Sequence, residues 1–131
     1  MDAMDLSREV RVRIPGLVLD ATLAIPREPK GVVLFAHGSG SSRFSRRNRY
    51  VARVLQDAGF ATVLLDLLTP VEEAADERTG HLRFDIALLA ERLAGATDWL
   101  RDEPATAALP VGYFGASTGA GAALAAAAER P

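Results

Sequence analysis

Three short apolar runs, Gly31 to Ala36, Phe60 to Leu65 and Pro110 to Phe114, do most to limit what this chain can fold into. The first two are continuous rather than alternating, the pattern of strands buried on both faces of a sheet. Between the runs lie segments of helical period. From about Ser45 to Ala58, residues Val51, Val54, Leu55 and Ala58 share one face, and Gly59 supplies a stop signal. From about Leu82 to Arg101, residues Leu82, Ile86, Leu89, Leu93, Ala96 and Leu100 recur at alternating spacings of four and three. Strands that alternate with helices imply a mostly parallel sheet with helices on both faces.

The chain opens differently. Val10 to Ile14 alternates valine or isoleucine with arginine, Pro15-Gly16 makes a turn, and Leu17 to Ile25 reads as a second strand. These form an antiparallel hairpin over 10–25 at the edge of a βαβαβα body over 31–129. Leu67 to Gly80 is acidic and irregular, and is expected to be a loop with at most one helical turn. The order is β-β-β-α-β-α-β-α, and residues 1–131 form a single domain.

Composition narrows the class. Hydrophobic residues make up 49% and charged residues 24%, enough apolar side chain to pack a core and far from the signature of disorder. A net charge of −2 sets up no positive field, so neither nucleic acid nor an anionic membrane is expected as a partner. Cysteine is absent, which excludes a disulfide framework and a thiolate nucleophile. With His37 and His81 the only histidines, neither a metal nor another cofactor is expected. Met1 to Leu6 is acidic and lacks the basic and apolar regions of a secretory signal, and no run approaches the roughly 18–20 apolar residues of a membrane span; a cytoplasmic location is expected.

Chemistry enters at Gly115-Ala116-Ser117-Thr118-Gly119, between the third apolar run and the alanine-rich, helix-favouring segment Gly119 to Ala128. In a strand, G-x-S-x-G, helix arrangement the serine occupies a sharp turn, and the residues two before and two after it must be small because strand and helix nearly touch. Ser117 is the candidate nucleophile, and backbone N–H groups of Thr118 and Ser39 are candidate oxyanion donors. Gly115, Gly119 and Gly38 are the glycines that this geometry needs. The plainer alternatives are close packing at the two elbow glycines and an ordinary turn at His37-Gly38-Ser39-Gly40.

The elbow, the His37-Gly38-Ser39-Gly40 loop after the third strand and the element order together resemble the amino-terminal part of the α/β-hydrolase superfamily. Within it, the run His37 to Leu68, with Ser41-Ser42-Arg43 leading into the first helix and Leu64-Leu65-Asp66 closing a strand, resembles the dienelactone-hydrolase-like group. The resemblance covers nearly the whole chain. It implies an α/β-hydrolase fold, truncated after the elbow helix, and a serine hydrolase cleaving a carboxylic ester or related acyl bond of a small-molecule substrate.

Two departures qualify what the resemblance implies. Dienelactone hydrolases proper carry cysteine at the elbow, so Ser117 points to their esterase-like relatives. The family also supplies an acid and a histidine after the nucleophile, and the residues that follow Ser117 include neither aspartate nor histidine. An incomplete triad is therefore expected. So is association, through an exposed sheet edge, with a second copy or with a missing carboxyl-terminal portion; the alternative function is a noncatalytic hydrolase fragment that associates in this way.

The remaining candidates have quieter expectations. His37 shapes the oxyanion loop, His81 opens a helix, and Asp66 orders a loop. Arg43, Arg46, Arg47, Arg49 and Arg53 form a basic cluster, a solvated face that Glu72, Glu73, Asp76 and Glu77 could answer, with recognition of an anionic substrate or partner as the alternative. Trp99 and Phe84 belong to the core. The pattern Gly115-x-x-x-Gly119-x-Gly121 is also similar to that of short-chain dehydrogenases, but a dinucleotide fingerprint belongs to the first βα turn, and with Lys30 the sole lysine no Tyr-x-x-x-Lys pair can form.

Overall fold

A computed structural model describes residues 7–36, 43–79, 82, 85–115 and 118–130, with the backbone alone at 118–120 and 129. Strands β1 (Ser7–Ile14) and β2 (Leu17–Ala24) pair antiparallel from Ser7↔Ala24 to Ile14↔Leu17. Their turn closes on Gly16 at φ 84°, a left-handed conformation that glycine adopts without steric cost. Strand β3 (Val32–Ala36) lies between β4 (Ala61–Leu65) and β5 (Val111–Gly115) and runs parallel to both. The sheet order is β1-β2-β4-β3-β5, with β2 antiparallel to β4. The hairpin thus supplies two of five strands, and the sheet is mixed, with β4-β3-β5 its parallel part.

The continuous apolar runs divide between two faces with the strand period of two. Val32, Leu34, Ala36, Ala61, Val63 and Leu65 join the larger core, covered by α3 (Ile86–Asp102) and α4 (Thr118–Glu129). Phe35 and Leu64 point the other way and pack with Ala52 of α1 (Arg46–Asp57). Ser45 caps α1, its Oγ accepting from Asn48 N at 3.3 Å, and after the helix Gly59 turns the chain at φ 98°.

The four-and-three spacing locates α3, whose Leu89, Leu93, Ala96 and Leu100 are buried. Its start is later than that spacing suggests. Asp85 is the N-cap, accepting from Leu88 N at 3.0 Å, so Leu82 precedes the helix and Ile86 remains 42% exposed. Trp99 is half-buried against the core, and Phe84 lies outside the described residues.

The segment expected to be a loop contains a helix, α2 (Pro70–Thr79). Its origin is a capping box. Glu72 N donates to Thr69 Oγ1 at 3.2 Å while Thr69 N donates to Glu72 Oε1 at 2.9 Å, and Pro70 takes the first helical position, where its missing N–H costs nothing. Asp76 is its one buried residue, so no apolar stripe announces the helix.

Two glycines mark close approaches of helices. In α4, a Cβ on Gly121 would stand 3.0 Å from Ile86 Cδ1, and Ala122, Ala123 and Ala126 are buried beside it, so small side chains let α4 lie tight on α3 and the sheet. In α3, a Cβ on Gly95 would stand 2.8 Å from Ile14 Cγ2 and 3.1 Å from Ile14 Cβ. Gly95→Ala gains about 1 kcal/mol of helix propensity. Displacing a β-branched side chain held in β1 costs about 1–3 kcal/mol. The expected result is net destabilisation by urea unfolding; a more stable variant would show that Ile14 yields freely.

Among the described residues no helix is long and apolar enough to cross a membrane.

Candidate active site

The registers Ala36↔Leu65 and Ala36↔Gly115 bring the carboxyl ends of β4, β3 and β5 level with one another. In open α/β sheets ligands bind outside that end. Strand β5 stops at Gly115 and α4 begins at Thr118, two residues apart in sequence. Strand β5 is anchored on both faces. On the α3 side, the Tyr113 and Thr97 hydroxyls bond at 2.5 Å, and Thr97 Oγ1 also reaches Leu93 O at 2.9 Å. On the α1 side, the Phe114 and Phe35 rings lie 5.0 Å apart, tilted by 43°.

Of the residues singled out from sequence, Gly115 ends β5 beside Ala36, while Thr118 and Gly119 open α4. The N–H groups of a first helical turn have no intrahelical partner, which leaves the Thr118 N–H free of the α4 ladder. Ser117, Ser39, Gly38, His37 and His81 lie outside the described residues.

The chain is described again from Arg43, which is clamped by Asp66, the residue after β4. Asp66 Oδ1 accepts from Arg43 N at 2.7 Å and Oδ2 pairs with the Arg43 guanidinium. Arg43 Nε also faces Glu9 Oε1 at 3.5 Å. Burial works against the charged guanidinium, but the hydrogen bond and charge of Asp66, with Glu9 and Asp20, outweigh it and raise the Arg43 pKa. Asp66 therefore ties the segment that follows β3 to the end of β4, the loop-ordering role expected of it.

Sequence reasoning missed Arg92, which is 5% exposed in α3. Its two terminal nitrogens clasp the Glu72 carboxylate, Nη2 to Oε2 at 2.6 Å, and Nη1 also donates to Leu67 O at 2.9 Å. The Arg92 hydrogen bond holds the Glu72 carboxyl below its ordinary pKa, with burial opposing and Thr69 assisting. The acidic residues of α2 thus do not answer the arginines of α1: Glu72 answers Arg92, and Asp76 accepts from Leu82 N at 2.6 Å. The available signal was an arginine among Leu89, Ala90 and Leu93, which α3 buries.

No family model matches the chain. A crystal structure of dienelactone hydrolase from Anabaena variabilis superposes with a TM-score of 0.92 and is 64% identical, over 96% of this chain and 59% of that one. In fold and sequence this chain is similar to the dienelactone-hydrolase-like α/β-hydrolases. A cold-adapted esterase from an Arctic intertidal metagenomic library shares the fold at a TM-score of 0.73 and 20% identity, covering 95% of this chain and 56% of its own. Two Mycobacterium tuberculosis proteins that carry a provisional phosphoribosyl transferase name are 60% identical over 121 residues, 92% of this chain and 26% of each relative. The chain therefore spans about three fifths of the Anabaena structure and about a quarter of the mycobacterial proteins.

Proposed function

We propose that the chain is the elbow-bearing portion of a serine hydrolase that cleaves a carboxylic ester or related acyl bond of a small molecule, with Ser117 as nucleophile. The observation that carries this reading is the two-residue passage from β5 to α4, level with the end of β3. The names of the Anabaena dienelactone hydrolase and the Arctic esterase point the same way.

In this reading Ser117 Oγ attacks the acyl carbonyl carbon as its proton passes to a base. The carbonyl oxygen takes up the negative charge and is met by the N–H groups of Thr118 and Ser39; loss of one such donor costs about 3 kcal/mol of transition-state stabilisation. Collapse expels the leaving group, and water then frees the acyl group. The acid and the base are proposed to come from outside these 131 residues, with His37 shaping the loop after β3. Short-chain p-nitrophenyl esters test the reaction class. A burst of p-nitrophenolate equal to the protein concentration is expected from protein expressed from its complete reading frame, and release no faster than in buffer would remove the assignment.

The β5 edge favours a second reading. Among the described residues β5 pairs only with β3, and its Phe114 is 38% exposed. Unpaired apolar edges invite strand addition. In this reading the chain is noncatalytic and associates through β5 with a second copy or a separate carboxyl-terminal portion. Sedimentation at micromolar concentration is expected to show dimers or larger species; a compact, stable monomer would argue against it.

A further inference from the structure

A recess of about 260 Å³ opens on the α1 face of the sheet, between the helix and the hairpin. Arg49, Arg53 and Gln56 line it from α1, Ser7, Thr22 and Ala24 from β1 and β2, and Thr62 from β4. It is not the elbow site. Its nearest strand, β4, is separated from β5 by β3, which at strand spacings of about 4.8 Å is roughly 10 Å, and β2 lies one spacing further.

The charge around this recess is unbalanced. Arg46, Arg47 and Arg49 stand near the amino end of α1, which has no acidic residue in its first turn, although the helix dipole disfavours cations there. Among the described residues Arg53 makes no ion pair, and Arg49 makes none either, its Nε donating to Arg43 O at 3.1 Å and its guanidinium lying 5.0 Å from the Phe44 ring centroid. Among the described residues no carboxylate lines the recess. The carboxylate nearby is Glu9, which is taken by Thr22 Oγ1 at 2.5 Å and faces Arg43 Nε at 3.5 Å.

A second observation is independent of charge. Gln56 is 7% exposed and donates from Nε2 to Thr62 Oγ1 at 2.8 Å, while its carbonyl Oε1 is buried without a partner. An unsatisfied buried acceptor costs about 1–3 kcal/mol, so the wall that carries it gains from a donor.

We propose that this recess binds a small hydroxylated phosphate monoester. The guanidinium groups of Arg49 and Arg53 match phosphate oxygens through paired N–H donors. The hydroxyls of Ser7 and Thr22 line the body of the ligand, and a small rotation of the Gln56 amide gives its carbonyl a ligand hydroxyl. The volume sits just under the roughly 300–1,000 Å³ of pockets for drug-sized ligands, which selects a sugar-sized or smaller molecule over a nucleotide. The proposal does not depend on Ser117.

Calorimetric titration of the full chain with glycerol 3-phosphate and with inorganic phosphate, at constant ionic strength and against a chloride control, tests it. One saturable site per chain is expected, with glycerol 3-phosphate tighter than phosphate. Arg53→Ala and Arg49→Ala should each weaken binding by about tenfold or more, since each removes a charge-assisted pair. Arg47→Ala, which removes the same charge outside the recess, should leave it nearly unchanged. Heats equal to those of chloride, or an equal loss in Arg47→Ala, would overturn the site. Equal affinity for the two phosphates would overturn the role given to Gln56.

Discussion

Replacing Arg92 with alanine should destabilise the fold by about 1–3 kcal/mol, because it leaves the half-buried Glu72 carboxylate and the Leu67 carbonyl without their donor. The side chain is 5% exposed and ties α3 to α2 and to the segment after β4. Without it the Glu72 carboxylate loses both of its guanidinium bonds and Leu67 O loses a donor. Replacing both charges, as Arg92→Met with Glu72→Leu, should recover much of the loss, because apolar packing substitutes well for a buried pair. Urea unfolding checks both, and a single-variant loss below about 1 kcal/mol would show the pair to be incidental. The same pair sets an acid limit. Since Arg92 lowers the folded-state pKa of Glu72, its contribution is complete above the carboxylate range of unfolded chains, about 4.3, and fades as pH falls through the lowered folded value. Wild-type stability should therefore drop more steeply below about pH 5 than that of Arg92→Ala.

Strands β3 and β4 were legible because burial on both faces leaves no room for alternation, and Val32 to Ala36 and Ala61 to Leu65 show none. Helix α3 was legible from its spacing, and α4 from side chains so small that only a tightly packed helix explains them. Helix α2 was not, because its signal is Thr69-Pro70-Val71-Glu72, a cap rather than a periodicity. Arg92 escaped for a related reason. A charged residue on a helix is ordinarily solvated, and the carboxylate that makes this one buriable lies on the helix that was read as a loop. Strand order depends on long-range pairing, and nothing local in Ala21 to Ala24 reveals that β2 lies against β4. At the site, β5 and α4 lie where the sequence places them around Gly115-Ala116-Ser117-Thr118-Gly119, and Asp66, at the end of a strand, holds Arg43 as an ordering carboxylate.

In protein expressed from its complete reading frame, Ser117→Ala should lower kcat for an activated ester by about 10⁶-fold, the scale of loss when a serine nucleophile is removed and only oxyanion stabilisation and binding remain. The chain has no cysteine to substitute for it. Stability should change little by comparison, since the substitution leaves the core residues Ala122, Ala123 and Ala126 untouched. A variant that unfolds would be separated from a chemical defect by its circular dichroism.

The most direct measurement is fluorophosphonate labelling of protein expressed from its complete reading frame, read by intact mass for wild type and Ser117→Ala. One adduct per wild-type chain and none in the variant is the expected result. An adduct that persists in Ser117→Ala, or a folded wild type that takes no label, would contradict a nucleophile at Ser117.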